Sequence, residues 1–166
     1  MSGQTARILG AQNRSQGETL EEQIATACMV YRRRGVAAIE KTPEPMKVIQ
    51  RLDNGRFIAC FSKKAQPDFQ GTLRTGRSVM FEAKTTRTGK ILQSAVTKEQ
   101  GEYLNSHAAM GALCFVVVSF GGFYARVPWQ DWTRMKELYG HKYMTSEEAQ
   151  PYRIRHDKYG ALAFLG

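Results

Sequence analysis

The order of apolar and polar positions divides the chain into segments of two different periods. Leu20, Ile24, Ala27 and Tyr31 fall on one stripe at helical spacing, which predicts a helix over residues 18–34. Glu21 lies on the shoulder of that stripe beside Cys28, whereas Glu22 points away from it. Arg32, Arg33 and Arg34 close the helix, where cations suit the dipole, and Gly35 stops it. A short strand follows over 37–40, and "KTPEP" is a loop marked by proline. "MKVIQRL" and "RFIACF" read as strands joined through Asn54-Gly55, a dipeptide that accepts the left-handed backbone of a tight hairpin. "KKAQPDFQG" is irregular, and "GTLRTG" and "RSVMFEAKT" predict a further pair of strands.

Thr97 with Gln100 forms a capping box that opens a helix through "TKEQGEYLNSHAAMG". The unbroken apolar run 112–120 predicts a strand buried on both faces. "FYARVPW" is another strand and 129–138 a short helix, while the last 28 residues carry weak signals. Residues 1–17 are polar and aperiodic, and read as a flexible basic arm. Helix, strands, helix, buried strand, strand and helix in this order predict an α/β fold, a mixed central sheet flanked by helices.

A length of 166 residues fits a single domain, 18–166, with a sizeable core. Lys and Arg number 24 against 15 Asp and Glu, a net charge of +9. Such a surplus attracts polyanions, nucleic acid first and anionic membrane second. The membrane reading loses its support because "ALCFVVVSF" is far too short to span and the N-terminus lacks an apolar signal core. Cys28, Cys60 and Cys114 are odd in number and far apart, and read as reduced core thiols of a cytosolic protein. His107, His141 and His156 show no metal-ligand spacing.

The candidate chemistry lies in "GRSVMFEAKTT". Period two places Val79, Phe81 and Ala83 on one face, with Met80, Glu82 and Lys84 on the other. Burying that glutamate and lysine is costly unless they pair or bind something. Thirteen residues separate Asp68 from Glu82, and a chain returning through "TLRTGRSVMFEAK" can lay the two carboxylates together. A divalent cation relieves their repulsion, and hard oxygens suit Mg2+ or Mn2+. Such an ion polarises a phosphate and acidifies water, and a neighbouring lysine stabilises developing charge. The pattern therefore proposes metal-dependent phosphodiester hydrolysis. Its plain alternative is a Pro67-Asp68 turn closed by Gly71, with Glu82 and Lys84 on a solvated edge strand. Glu21 can reach a site against the sheet, or merely complement its helix N-terminus. Gln100 can supply a polar contact, or merely cap its helix.

At these residues the sequence resembles the RecU-type Holliday junction resolvases within the PD-(D/E)xK nuclease superfamily. "NRSQGETLEEQI", "GVAAIEKTPEPMKVI", "PDFQG", "FEAKTT", "EQGEYL" and "GALCFVVVSF" carry the resemblance over residues 13–129. It implies a restriction-endonuclease-like sheet with a protruding β-hairpin stalk, residues 51–66. It also implies a homodimeric, Mg2+-dependent endonuclease (Mn2+ being an alternative) that cuts a four-way DNA junction symmetrically in the cytoplasm, in company with other recombination proteins. Carried over by motif, Asp68 and Glu82 are metal ligands, the Ala83 carbonyl completes the metal shell, Lys84 is the catalytic lysine, and Glu21 and Gln100 support the site. Gln66 and Pro67 stand where the family usually has a threonine before its aspartate, and the stalk is a few residues shorter.

Candidate DNA contacts are Arg7 and Arg14 on the arm, and Arg51, Arg56, Lys63 and Lys64 on the stalk. Arg74, Arg77, Arg87 and Lys90 flank the FEAK strand. Two other readings stay open from the residues: a nuclease of the same superfamily acting on linear duplex, and a non-catalytic DNA-binding relative.

Overall fold

The computed structural model describes residues 19–61 and 66–166, the side chain of Phe61 excepted. The arm with Arg7 and Arg14, and the stalk residues Lys63 and Lys64, lie outside the described residues.

Helix α1, Leu20–Arg33, starts at a reciprocal capping box. The Thr19 hydroxyl accepts the Glu22 N–H at 3.3 Å, and the Glu22 carboxylate accepts the Thr19 N–H at 2.7 Å. Its stripe of Leu20, Ile24, Ala27 and Tyr31 is buried as predicted. The strands are β1 Ala37–Lys41, β2 Met46–Arg51, β3 Phe57–Phe61, β4 Phe69–Leu73, β5 Ser78–Thr85, β6 Lys90–Leu92, β7 Leu113–Ser119, β8 Tyr124–Pro128, β9 Tyr143–Thr145 and β10 Arg153–Ile154. Three further helices are α2 Lys98–Ala109, α3 Trp129–Thr133 and α4 Met135–Tyr139. Six strands form the central sheet in the order β1-β4-β5-β7-β8-β10. The β5–β7 pairing is parallel and the others antiparallel, so the sheet is mixed, as expected.

Alternation along β5 and β7 divides the core into two layers. Val79, Phe81, Phe115 and Val117 pack beneath α1, with Phe69 beside them. Met80, Cys114, Val116 and Val118 pack on the other face with Leu104 of α2 and Trp132, Met135 and Met144. Strand β7 is thus buried on both faces. Phe69, Phe81 and Phe115 form a ladder across three strands beneath α1, with ring centroids 5.1 and 4.6 Å apart and nearly parallel planes.

The structure corrects several expectations. Strand β4 begins at Phe69, not at Gly71, and Gly71 lies inside it opposite Ile39 instead of closing a turn. A Cβ on Gly71 would sit 2.0 Å from the Ala38 carbonyl oxygen, so the close approach of β1 demands glycine. The helix over 129–138 breaks at Arg134, because the Gln93 side-chain amide takes the carbonyls of Trp132 and Thr133 at 2.7 and 2.9 Å. Strands β6 and β9 make a separate two-stranded sheet. The C-terminal segment contributes Ala161, Leu162 and Phe164 to the core, pinned by Tyr31, whose hydroxyl donates to the Leu162 carbonyl and accepts the Leu165 N–H. Cys28 and Cys114 are buried thiols, whereas Cys60 is exposed because β3 pairs only with β2.

Strands β2 and β3 form a sheet of their own, reversed through Asn54 (φ 62°) and Gly55 (φ 73°). Every residue of β2 is exposed. Among the described residues no helix is long and apolar enough to cross a membrane.

Candidate active site

Register positions the two carboxylates. Phe69 pairs with Phe81 in the antiparallel β4–β5 ladder, so one further step sets Asp68 across from Glu82. The phenylalanines face α1, which turns Asp68 and Glu82 toward the α2 layer. At that step the Asp68 side chain takes over as acceptor from the ladder: its Oδ2 accepts the Ala83 N–H at 2.9 Å. The Asp68 carbonyl accepts the Thr42 N–H at 2.8 Å, which ties the end of β1 to the same point.

Glu82 is fully buried, with 0% exposure. Its Oε2 accepts two donors, the neutral amide Gln100 Nε2 at 2.7 Å and the ammonium Lys84 Nζ at 3.0 Å. Among the described residues its Oε1, also buried, has no hydrogen-bond partner. Burial first, and the neighbouring Asp68 carboxylate second, push the Glu82 carboxyl up to about 7, although Lys84 pulls it down. Lys84 is mostly covered yet keeps a solvent-facing edge, so its ammonium bridges the buried acid and the surface.

Gln100 resolves the choice between cap and site contact by serving both. Its Oε1 accepts the Thr97 N–H at 3.1 Å and its Nε2 donates to Glu82. A glutamate in the same capping box would have no hydrogen to offer and would set a like charge against Glu82.

Asp68, Glu82, Lys84, Gln100 and the backbone of Ala83 are therefore brought together. Glu21 turns its half-exposed carboxylate to Lys41 at the end of β1, at 2.5 Å. That hydrogen bond is the main cause raising the Lys41 ammonium, to which the charges of Glu44 and Asp68 also contribute. Lys41 thus stands within electrostatic reach of Asp68. Sequence reasoning missed it, because "EKTPEP" reads only as a strand end and a loop.

The basic candidates separate along β5. Arg87 and Lys90 follow Lys84 at the carboxylate end and are exposed. Arg74 and Arg77 lie at the other end, Arg77 about 23 Å from Lys84 along an extended strand. Arg77 caps carbonyls there, its Nε donating to Gly111 at 2.7 Å. Arg51 and Arg56 are exposed on the β2–β3 hairpin.

Two carboxylates in register, one with an uncompensated buried oxygen, suit a hard cation that supplies the missing charge. Among the described residues no group of three or more His, Cys, Asp and Glu forms, so backbone carbonyls and water would have to complete such a shell.

Residues 15–162 match the family described as RecU, Recombination protein U. The chain is 30% identical over 157 residues to Holliday junction resolvase RecU of Bacillus pumilus, covering 88% of this chain and 76% of that protein. It is 31% identical over 147 residues to Holliday junction resolvase RecU of Bacillus licheniformis, covering 82% and 73% respectively. A solved structure of Archaeoglobus fulgidus Hjc, a Holliday junction resolvase, overlaps at a TM-score of 0.43 with 13% identity, over 66% of this chain and 77% of that one.

Proposed function

The chain belongs to the Recombination protein U family, and on that premise we propose that it is an endonuclease that resolves four-way DNA junctions by paired, symmetric strand cuts in recombination and repair. The observation that carries this reading is the buried Glu82, held by Lys84 and Gln100 beside Asp68 with its Oε1 unmatched.

In this reading Asp68, Glu82 and the Ala83 carbonyl hold a Mg2+ or Mn2+ ion, which when bound polarises the scissile phosphate and lowers the pKa of water. The chain's own groups do the rest. Gln100 fixes the Glu82 carboxylate through Oε2, leaving Oε1 for the ion. The Ala83 N–H orients Asp68 through Oδ2. Lys84 stands at the mouth of the site, where its ammonium stabilises charge gathering on the phosphate oxygens. Glu21, with Lys41, supports the Asp68 side.

We extend the proposal to a cytoplasmic homodimer, because symmetric cuts need two such sites. Residues 18–166 then form one nuclease domain, and 51–66 its stalk, directed at the junction centre. Basic residues on the hairpin and beyond Lys84 contact phosphates without reading bases, which suits recognition of branched shape.

The test is an end-labelled four-way junction incubated with the protein and Mg2+, with the cuts mapped on all four strands beside a linear duplex of the same sequence. Paired cuts at symmetric positions, abolished by chelator, are expected. Faster cutting of the linear duplex would favour a duplex nuclease instead, and no metal-dependent hydrolysis of either would favour a non-catalytic DNA-binding protein.

A further inference from the structure

The small β6–β9 sheet has no part in the site described above, yet it stands directly beyond it. Strand β5 ends at Thr85, and the chain turns through Thr86 and Gly89 into β6. The Thr86 hydroxyl donates to the Lys90 carbonyl at 2.6 Å, and the Ser146 N–H donates to the Gly89 carbonyl at 2.8 Å, so the turn is fixed from both sides. Ile91 and Met144, at the middle of the two strands, are buried in the same layer as Met80 and Val116. The sheet is therefore anchored on the face toward which Glu82 and Lys84 point, at the Lys84 end of the strand. Gln93 adds a second anchor, its N–H donating to the Lys142 carbonyl at 3.0 Å and its side chain to α3.

Basic side chains gather at the edges of this anchored sheet, Lys90 at the start of β6 with Arg87 and Lys142 just outside the strands. Arg87, Lys90 and Lys142 are exposed. The Lys90 ammonium lies 5.3 Å from the Tyr143 ring centroid, and the His141 ring stacks on Tyr143 at 3.6 Å. The aromatic pair thus restricts a lysine that would otherwise sample many rotamers. The neighbouring acids are engaged locally: Glu148 accepts the Thr145 N–H at 2.8 Å and pairs with His141, and Glu147 accepts the Ser146 hydroxyl.

We propose that the β6–β9 sheet is a backbone clamp for the DNA arm leaving the cleavage site, with Lys90 and Lys142, at its two ends, contacting separate phosphates beyond the scissile one. The inference rests on the nuclease reading and deepens it, adding Lys142 to the basic residues beyond Lys84 and giving them a fixed support. A rigid clamp at this place fixes which phosphate comes to Lys84, since it holds the arm at a constant distance from the carboxylates.

The test is the salt dependence of junction binding, followed by fluorescence anisotropy in chelator, with cleavage of the same preparations measured in Mg2+. The variants are Lys90→Ala/Lys142→Ala and the gentler Lys90→Gln/Lys142→Gln. The charge-matched control is Arg33→Ala/Lys158→Ala, on the α1 side of the sheet. Each lost phosphate contact lowers the slope of log K against log salt by about 0.9, so both sheet variants are expected to lower it by about 2. Their loss of affinity between about 50 and 200 mM salt then shrinks by about tenfold relative to wild type. The control pair is expected to keep the wild-type slope, and cut positions to spread in the sheet variants alone. A slope in both sheet variants equal to that of the control pair would overturn the clamp while wild-type cleavage stands. A wild type that neither binds nor cuts the junction would overturn the nuclease reading first.

Discussion

The carboxylate site and the β2–β3 hairpin break the rule of apolar inside and polar outside in opposite directions. Around Glu82 the core admits an aspartate, a glutamate and a glutamine, all buried. On the hairpin, Met46, Val48, Ile49, Phe57 and Ile58 stand in solvent, Ile49 at 64% exposure. In the first region nearly every misfit is answered within the chain: Gln100 and Lys84 answer one oxygen of Glu82, and Ala83 answers Asp68. Among the described residues, what remains in this region is Glu82 Oε1 and the Thr42 Oγ1 near Asp68, and a carboxylate oxygen of that kind suits a small cation. In the second region no complement comes from the described chain, and a two-stranded hairpin is marginal in water by itself. An exposed apolar surface of that kind marks a partner of macromolecular size. The difference separates a place suited to chemistry from one suited to meeting another surface.

The sharpest way to test the first half is to remove charge from the site. Asp68→Asn, Glu82→Gln and Lys84→Ala are each expected to lower junction cleavage by about 10³-fold, some 4 kcal/mol of transition-state stabilisation, with junction affinity changed only a few-fold. Single-turnover rates in Mg2+ beside binding curves in chelator measure both. Cleavage retained by Glu82→Gln would remove the site from contention.

A backbone substitution reaches the same region without touching a polar group. Gly71→Ala brings a Cβ to 2.0 Å from the Ala38 carbonyl and 2.6 Å from the Ile39 Cα. The β1–β4 pair must part, which is expected to cost about 1–3 kcal/mol in urea unfolding and to lower cleavage, because Asp68 heads the same strand. Unchanged stability would mean that β1 yields freely, and that the Thr42–Asp68 backbone bond does not hold the site.

These two regions also mark what the sequence could reveal. The α1 stripe, the doubly buried β7 and the shared face of Glu82 and Lys84 were legible because each rests on local periodicity. The start of β4 was not, since "PDFQG" has turn chemistry and it becomes a strand through pairing with the distant β1 and with β5. Strands β6 and β9 have three residues each, too few for a period to show. The break at Arg134 is imposed by Gln93, some 40 residues upstream. The pairing of Glu21 with Lys41, and the docking of Leu162 and Phe164 near Tyr31, likewise depend on contacts between distant segments. The dual use of Gln100 was legible as two competing roles, and only geometry shows that one amide fills both.

The charge imbalance at Glu82 has a pH signature that the hairpin lacks. The folded chain holds the Glu82 proton up to about 7, whereas an ordinary glutamate releases it near 4.5. Between those values the folded state binds more protons than the unfolded state, so this group's contribution to stability falls as pH rises. Glu82→Gln removes that loss. The variant is expected to melt above wild type at pH 8 in chelator, with the gap closing toward pH 4.5. Added Mg2+ at pH 8 is expected to raise the wild-type melting temperature more than that of the variant. A gap independent of pH would mean that Glu82 is not the strained group. Parallel hairpin substitutions are expected to show no such dependence, which keeps the contrast specific to the site.

The smallest expected effect tests the other half of the comparison. If the hairpin's apolar side chains are not core, Phe57→Ser and Ile58→Ser change unfolding free energy by about 0.5 kcal/mol or less each, when measured at protein concentrations low enough to dissociate oligomers. At high concentration the same variants are expected to melt below wild type if the hairpin packs against a second copy in the proposed homodimer. Deleting residues 53–56 is expected to weaken the preference for a four-way junction over duplex more than it weakens duplex binding. The readouts are competition binding and melting at two protein concentrations. A loss of about 2–3 kcal/mol at low concentration would show that these side chains pack within one chain, because that is the cost of opening a buried site. Selectivity unchanged by the deletion would detach the hairpin from junction recognition and leave the carboxylate site, together with the basic surface beyond Lys84, to account for it.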